Sequence, residues 1–357
     1  VAAMTRVSDR PVRTFTIGFP DPRYDESPHA EAVAAALGTR HTTRTLHLDQ
    51  AQDLLRAHGA LRFHGFGIHD AAAFEAVARG IDDDLKNEYL GTSPRDAMTD
   101  YVFSASELPG YYPIPQHCEM TFTRTPPNRI FFWCDIAPAR DSGETPLVDF
   151  RRVWSQLDDG VRERFARNGL RIIRNYSGPG TTNRDLFQLK RWDEMFRTED
   201  RDEVNRMARR EGFTPIWKDG DRLALVSEHD ATRNHPETGE PTWFNHAQVF
   251  HLSTGSAELK RVFRHRPSAR GLFWWLAASL LTARKRKVPS EEQAMHCTYR
   301  DGQEIPDADL EHLRDLIWRN LVVLPWSRGD VVAIDNHAVG HGRLPYRGPR
   351  RVAVCWA

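Results

Sequence analysis

The chain of 357 residues and 41.0 kDa is 40% hydrophobic and 27% charged, which is typical of a globular protein with one large core or two smaller domains. Its 49 basic and 49 acidic residues cancel, which excludes a protein that relies on a strong overall field to attract nucleic acid or an anionic membrane. The longest apolar run, LFWWLAASLL at 272–281, is too short to span a bilayer and predicts a buried helix. We therefore expect a small-molecule partner, with no nucleic acid and no membrane.

The four cysteines indicate the compartment. Cys118, Cys134, Cys297 and Cys355 show no CxxC spacing, and the sequence contains no segment with the pattern of a secretory signal. Cysteines of this kind are typical of reduced thiols. The sequence therefore predicts a cytoplasmic protein.

The front of the chain has a βαβ-like pattern. Residues 12–19 predict a strand, 27–37 an Ala-rich helix that ends at Gly38, and 41–48 a second strand. From about residue 53 the sequence pattern changes, and Trp- and Phe-rich segments alternate with Pro and Gly. This change predicts a boundary between a front piece, residues 1–48, and a main domain, residues 50–357.

The main domain is rich in predicted strands. A helix at 51–58, a strand at 60–66 and a helix at 70–80 come first, and charged helical intervals follow at 192–211 and 256–286. Further strands are predicted at 117–123, 129–135, 145–150, 170–175, 242–249, 321–324, 330–334 and 350–356. Many separated strands that close on one another favour a mainly β fold, a barrel or jelly roll with helices packed outside.

Four His-x-Asp/Glu triplets are candidate metal ligands. They are His29-Ala-Glu31, His47-Leu-Asp49, His117-Cys-Glu119 and His235-Pro-Glu237. The first lies in a predicted helix, where residues i and i+2 do not face each other. The second ends the front segment and the fourth lies in a turn-like NHPETGE, so neither has an evident third ligand.

The triplet at His117 and Glu119 has the pattern of a metal site. If 117–123 is a strand, both side chains point to one face, which brings an imidazole and a carboxylate to one cavity. A third ligand is available in GDVVAIDNHAVGHGRLPYRGPRRVAV at 329–354, which contains His337 and His341. Cys118 alternates to the opposite face and is expected to pack.

An ordered set of motifs carries a resemblance to a known family. The motifs are His117-x-Glu119, SGETPLVD at 142–149, NHPETGEPTWFN at 234–245, W-x-x-GDVVAIDN-x4-His341-x-Arg, and the pair Arg350-Arg351. In order and spacing they resemble the TauD/TfdA-type iron(II), 2-oxoglutarate-dependent dioxygenases over about residues 53–357. SELPGYYPIPQHCEM at 106–120 and HGRLPYRGPRR at 341–351 resemble the branch that hydroxylates amino acids in natural-product pathways, which includes the syringomycin-type aspartyl hydroxylase.

The resemblance implies a double-stranded β-helix (jelly-roll, cupin-like) core and a ligand set. His117, Glu119 and His341 match the facial triad that leaves three cis positions on Fe(II), two for 2-oxoglutarate and one for O₂. His337 is the rival third ligand, but the family spacing selects His341. Asn245 is a candidate for contacting the substrate.

The same resemblance assigns the binding of the co-substrate. Arg351 matches the arginine that receives the distal carboxylate of 2-oxoglutarate, and Thr145 matches the hydroxyl that assists it. Only one arginine of the pair can face the site, because Arg350 would leave the opposite face of a strand. The family register favours Arg351, although strand alternation alone leaves the choice open. Trp243, Phe244 and Trp326 are expected in the core.

Two departures refine the expected activity. Halogenating relatives replace the carboxylate of the triad by a small residue, whereas this chain has Glu119, which favours hydroxylation. Residues 14–46 resemble a piece of the synthetase domain of asparagine synthetases, but the SGG-x-DS loop that binds the ATP pyrophosphate does not occur in the sequence. The front piece is therefore not expected to adenylate a substrate by that mechanism.

The sequence thus predicts a hydroxylase that acts on an amino acid, either free, on a carrier protein or within a peptide. Two rival functions remain at this stage. An asparagine-synthetase-like amide ligase is disfavoured by the missing pyrophosphate loop. A non-catalytic cupin-like binding protein is disfavoured by the combination of the triad with Arg351.

Overall fold

The computed structural model describes residues 12–18, 27–45, 48–87, 96–105, 108–181 and 191–357. Its strands are β1 Arg13–Gly18, β2 Arg40–Thr45, β3 Ala60–Phe63, β4 Phe103–Ser104, β5 Ile114–His117, β6 Arg129–Ile136, β7 Leu147–Asp149, β8 Leu170–Tyr176, β9 Thr214–Lys218, β10 Arg222–His229, β11 Thr232–Asn234, β12 Pro241–Trp243, β13 Met295–Tyr299, β14 Val331–Asp335, β15 Val339–Arg343 and β16 Arg351–Trp356. Its helices are α1 Ser27–Ala36, α2 Leu48–His58, α3 Ala71–Ile81, α4 Phe150–Gln156, α5 Asp159–Asn168, α6 Trp192–Phe196, α7 Arg201–Arg210, α8 Ala247–Phe250, α9 Thr254–His265, α10 Ala269–Lys285 and α11 Asp307–Arg319.

The centre of the fold is a five-stranded sheet in the order β3-β14-β6-β16-β4. Its central strand, RIFFWCDI, is apolar along its length because both faces of the sheet are covered. Phe132 and Cys134 belong to one buried cluster, and Phe131 and Trp133 belong to another, as strand alternation requires. Helices α2 and α3 cover the second of these faces.

A three-stranded sheet, β5-β15-β7, lies against the first face. Val339 of β15 and Leu147 of β7 pack in the same cluster as Phe132, Ile334 and Val354 of the larger sheet. The two sheets therefore enclose an apolar interior. This arrangement confirms the expected jelly-roll core with helices packed outside.

A third sheet, β13-β8-β10-β9, forms a larger core with helices α4, α5 and α11. At the front of the chain, β1 and β2 pair in parallel from Arg13↔Arg40 to Gly18↔Thr45, with α1 beside them. The predicted strand, helix and strand of the front piece are therefore present. Among the described residues, no helix is both long enough and apolar enough to cross a membrane.

Several predicted elements differ from the structure. The predicted strand 117–123 is wrong, because β5 ends at His117 and a turn follows it. Segment 242–249 is a strand only to Trp243 and then enters α8, and 321–324 contributes one bridge, Val322 to Leu147. The run at 272–281 lies in α10, which has no buried residue, because only one side of that helix contacts the protein.

Candidate metal centre

Two imidazoles and one carboxylate converge at the edge of the enclosed interior. The ligand atoms of His117, Glu119 and His341 all lie within 4.8 Å of one another. Glu119 and His341 are buried, and His117 is partly exposed. A group of two histidines and one carboxylate on one side of a cavity is the facial ligand set for iron(II). The donor set therefore fits a single divalent metal ion.

His117 is the last residue of β5, directly paired with His341 of β15. The two rings are 4.7 Å apart between centroids. The Nδ1 atom of His117 lies 2.8 Å from the carbonyl oxygen of Pro115. Because a carbonyl can only accept, Nδ1 must carry the proton and donate it, so Nε2 keeps its lone pair. The backbone thus fixes the tautomer that a metal requires.

Glu119 reaches the site from a turn and not from a strand. Met120, the next residue, has a left-handed φ of +54° and ends the extended backbone. The backbone N–H and the hydroxyl of Thr123 both donate to the carbonyl of Met120, at 3.0 and 2.8 Å. The carboxylate of Glu119 lies 3.7 Å from Nε2 of His341. His117 and Glu119 lie together, as the sequence predicts. The turn that contains Glu119, and not strand alternation, brings them together.

His341 is placed by the packing of β15. It lies between two glycines, and its ring is 4.8 Å from that of Phe132 across the interior. A Cβ atom on Gly340 would stand 2.2 Å from the ring of Phe150, and one on Gly342 would stand 2.5 Å from the carbonyl of Ile114. The glycines therefore allow β15 to approach α4 and β5 closely, which brings His341 to His117.

The rival ligand, His337, lies elsewhere. Its ring stacks on Phe244 with a centroid distance of 5.1 Å, and its Nε2 is 3.1 Å from the side-chain oxygen of Asn128. Burial lowers the pKa of His337 to about 4. The structure brings His341, and not His337, to the other two ligands.

Thr145 lies in the loop that enters β7, two residues before Leu147, which pairs with His341. Its hydroxyl accepts a bond of 3.1 Å from the indole of Trp326. Arg350 donates through Nε to the carbonyl of Gly143 at 2.8 Å, and its Nη2 lies 3.4 Å from the Thr145 hydroxyl. A guanidinium and a hydroxyl therefore stand side by side.

The register of the arginine pair differs from the expected one. Arg351 begins β16 with a side chain that is 55% exposed and is paired with Asp135. Arg350 precedes the strand and points to Thr145, so the predicted orientations of the two are reversed. A bulge between Arg351 and Val352 disturbs the alternation at this point. Both faces of β16 are apolar further along, so the sequence contained no pattern that identifies the inward residue.

The surroundings of Arg350 disfavour its positive charge. Burial, and next the positive charge of Arg343, lower the pKa of Arg350 to about 10. Its described hydrogen bonds go to neutral oxygens, whereas Arg351 already has a carboxylate partner. A buried guanidinium of this kind gains free energy when an anion binds beside it.

Asn245, the predicted substrate contact, makes hydrogen bonds within the fold. Its Nδ2 donates to the carbonyl of Ala231 at 2.6 Å, and its Oδ1 accepts the backbone N–H of Ala247 at 2.9 Å. The side chain thus joins the β10–β11 turn to the start of α8. Its contact with a substrate stays a prediction from the sequence.

The other triplets and one further cluster complete the metal candidates. His47 lies outside the described residues, and His29 and Glu31 lie on α1 as expected. A second group, His251, His296 and Glu304, also has its ligand atoms within 4.8 Å. The sequence pattern did not identify this group, because no two of its members are close in the chain.

The second group has the wrong hydrogen-bond polarity for a metal. The backbone N–H groups of Ser253 and Leu252 point at Nδ1 of His251 and His296, both at 3.2 Å. Each Nδ1 must therefore accept, so each neutral ring carries its proton on Nε2. Nε2 of His296 lies 2.9 Å from Glu304, and that of His251 lies 3.7 Å from it. We call this group the clamp: His296 donates to Glu304, and His251 lies 3.7 Å from the same carboxylate.

Two residues of the first site were missed from the sequence. The side chain of Asn336 bonds to the backbone of Glu119, and the buried ring of His246 lies 5.2 Å from that of His117. In the sequence, Asn336 appeared only as part of the Asp-Asn-x4-His motif. That motif indicated the position of His341 and did not indicate that Asn336 contacts Glu119. His246 had no signal of its own.

Comparisons with known proteins indicate the family of the chain. The sequence model of the taurine catabolism dioxygenase family, TauD, TfdA, matches residues 27–356. The chain is 29% identical to the dapdiamide synthesis protein DdaC of Enterobacter agglomerans, over 93% of this chain and 92% of that protein. It is 28% identical to a clavaminate synthase-like protein of Arabidopsis thaliana, over 93% and 92% of the two chains.

Solved structures with a similar course of the chain include a taurine dioxygenase from Burkholderia xenovorans, with a TM-score of 0.46 and 15% identity over 87% of this chain and 79% of that one. PvcB of Pseudomonas aeruginosa gives a TM-score of 0.48 and 16% identity, over 87% of this chain and 78% of that one.

Proposed function

The chain belongs to the TauD, TfdA family of dioxygenases, and from that premise we propose that it hydroxylates an amino acid at a centre formed by His117, Glu119 and His341. Family membership confirms the predicted enzyme class and its use of iron(II), 2-oxoglutarate and O₂. The observation that carries the assignment of residues is the convergence of the three ligand atoms within 4.8 Å. When bound there, iron(II) supplies the activation of O₂ that couples decarboxylation of 2-oxoglutarate to hydroxylation of a C–H bond.

The chain's own residues have three tasks in this proposal. His117 and His341 offer imidazole nitrogens and Glu119 offers a carboxylate, which fills the place that is vacant in halogenating relatives. Arg350, with the hydroxyl of Thr145, binds the distal carboxylate of 2-oxoglutarate, in place of the Arg351 expected from the sequence. Its burial and its neutral bonding partners support this choice.

The substrate class rests on weaker support. The relative DdaC is named for dapdiamide synthesis, and the chain covers 92% of its length. Together with the sequence resemblance to amino-acid hydroxylases, this supports an amino-acid substrate in the synthesis of a natural product. We include in the proposal an amino acid that is free, attached to a carrier protein, or within a peptide.

Residues 1–48 have no catalytic task in this proposal. The described part of this segment, β1, α1 and β2, contains none of the three ligands and packs chiefly on itself. The family match begins at residue 27, so the segment is not wholly foreign to the family. We propose that it supports the fold or an interaction and not the chemistry.

An anaerobic titration tests the function. Iron(II) and 2-oxoglutarate added to the purified chain are expected to give the metal-to-ligand charge-transfer band of the chelate, and O₂ with an amino-acid panel is expected to yield succinate. An amide ligase would instead consume ATP and give no such band. A chain that binds iron(II) but shows neither the band nor succinate would act as a binding protein, and the proposal would be withdrawn.

A further inference from the structure

The NHPETGEPTWFN segment at 234–245 takes no part in the ligand set, yet the structure connects it to Glu119. The connection runs from His235 through Asp335 to Asn336. All three side chains are buried. His235 is hydrogen-bonded to Asp335, which is the neighbour of Asn336 in the chain, and Asn336 is hydrogen-bonded to Glu119.

Asn336 makes the contact with the ligand. Its Oδ1 accepts the backbone N–H of Glu119 at 2.6 Å, and its Nδ2 donates to the carbonyls of Glu119 at 3.1 Å and Pro127 at 2.8 Å. The amide thus binds both polar groups of the Glu119 backbone, although the two residues are 217 positions apart. Glu119 needs this support because it lies in a turn, where no strand ladder fixes its direction.

Asn336 also stands in the turn between β14 and β15, five residues before His341. One side chain therefore ties the carboxylate ligand to the hairpin that carries the histidine ligand. A small shift of this amide would change the separation of two ligands at once.

Asp335 and His235 hold that turn. Backbone N–H groups of Glu237 and Thr238 point at Nδ1 of His235, both at 3.1 Å, so Nε2 must carry the proton. Nε2 lies 2.8 Å from Oδ2 of Asp335, to which it donates. The other oxygen of Asp335 accepts the backbone N–H of His337 at 3.0 Å. The carboxylate of Asp335 is thus bonded to the side chain of His235 and to the backbone of His337, the residue after Asn336.

We propose that Asn336 is the positioning residue of the carboxylate ligand, and that His235 and Asp335 keep its turn in place. The inference rests on the proposed function, because it concerns the metal affinity of the same centre. Residues of this kind, which touch a ligand and not the metal, typically contribute 10- to 100-fold to metal affinity.

The test uses the full chain with Co(II), whose absorption reports the geometry of its ligands. Asn336→Ala is expected to weaken Co(II) binding by about 10- to 100-fold and to change the spectrum at saturation. His235→Ala is expected to weaken binding by about 10-fold. His235→Gln is expected to bind nearly as the natural chain does, because its amide N–H can replace Nε2–H as donor to Asp335.

Asn175→Ala is the matched control. The amide of Asn175 also donates to two backbone carbonyls, those of Glu291 and Gln293, but it lies in the third sheet. We expect this variant to lower the unfolding midpoint of the metal-free protein and to leave Co(II) affinity and spectrum unchanged. A purely structural role for Asn336 would give the same pattern.

The outcomes are distinguishable. If the natural chain binds no Co(II) at the triad, the proposed function fails. If it binds, and Asn336→Ala binds with the same affinity and spectrum, the inference is overturned. If Asn336→Ala does not fold, the two His235 variants decide the question. Equal Co(II) affinity in His235→Ala and the natural chain would then contradict the connection from His235 through Asp335 to Asn336.

Discussion

Two clusters of the same composition lie in the part of the chain that the structure describes, and of these two the first suits a metal. Both contain two histidines and a glutamate with ligand atoms within 4.8 Å. At His117 a backbone carbonyl accepts from Nδ1, which leaves Nε2 free to bind a metal. At His251 and His296 backbone N–H groups donate to Nδ1, which leaves a proton on Nε2.

The difference shows that backbone hydrogen bonds to Nδ1 determine whether Nε2 of a histidine carries a proton or a lone pair. The two groups share residue types and the same 4.8 Å limit, but the backbone atom at Nδ1 of His117 is an acceptor, whereas those at Nδ1 of His251 and His296 are donors. In the second group, binding of His251 comes first among the causes that lower the pKa of Glu304 to about 2. The Nε2 atoms of His251 and His296 carry protons, so neither ring offers its Nε2 lone pair to a cation beside Glu304.

The largest expected effect separates the two clusters directly. His341→Ala removes one of three ligands, so we expect iron(II) affinity to fall by more than about 100-fold, beyond the loss typical of indirect contacts, and turnover of 2-oxoglutarate to stop. His296→Ala is the matched variant in the second cluster and is expected to keep the iron(II) affinity. Isothermal titration under anaerobic conditions measures both affinities. Equal losses of iron(II) affinity in the two variants would contradict the assignment of the metal to the first cluster alone.

A second prediction concerns the anion partner that accompanies only the first cluster. Arg350→Ala removes a buried guanidinium from its ligand, at a cost on the order of 2–5 kcal/mol. The apparent 2-oxoglutarate requirement is expected to rise about 30-fold or more, with iron(II) affinity little changed. Arg350→Lys is expected to recover only part of the loss, because an ammonium cannot form the bidentate fork.

Arg351→Ala is the control for this measurement. Its side chain is 55% exposed and paired with Asp135, so a mild effect on the 2-oxoglutarate requirement is expected. If the two alanine variants exchanged phenotypes, the orientation of the pair would be the one expected from the sequence. If both were silent, the co-substrate assignment would be withdrawn.

A third, smaller effect belongs to the second cluster. Glu304→Gln leaves only one good acceptor for two buried imidazole N–H groups, so we expect the unfolding free energy to fall by about 1–2 kcal/mol. Iron(II) affinity is expected to stay the same. Glu163→Gln, on an exposed carboxylate 4.0 Å from Arg167, should lie within about 0.5 kcal/mol of the natural chain. Urea denaturation measures both, and a loss of iron(II) binding in Glu304→Gln would contradict the clamp.

The smallest expected effect is a pH dependence. Burial lowers the pKa of His251 and His296 below 6.5, so both rings take up protons less readily in the folded chain than in the unfolded chain. As the pH falls through about 6.5, the unfolded chain takes up protons that the folded chain does not, and stability falls. Between about pH 7 and pH 6, each ring contributes a loss below about 1 kcal/mol.

His296→Gln isolates one of these rings in the metal-free protein. Glutamine keeps an N–H donor toward Glu304 but does not titrate, so the variant should lose less stability than the natural chain over the same pH interval. Denaturation curves at the two pH values measure the difference. An unchanged difference would mean that His296 does not stay neutral on folding.

Through the resemblance that its motifs carry, the sequence by itself predicted the proposed metal ligands, and its apolar patterns predicted much of the β framework. His117-x-Glu119 and the Asp-Asn-x4-His341 spacing are local patterns, and the apolar strand RIFFWCDI shows its burial on both faces. Such features can be read because they depend on residues close in the chain. The expected ligand set and jelly-roll core follow from them.

Only the tertiary structure decided how these residues are held. The turn of Glu119 depends on Asn336, which is 217 positions away. The choice of Arg350 over Arg351 depends on a bulge in a strand that is apolar on both faces, where alternation gives no direction. The tautomers of His117, His251 and His296 depend on whether a backbone carbonyl or a backbone N–H contacts Nδ1. These are contacts between distant or backbone groups, and no residue pattern along the chain records them.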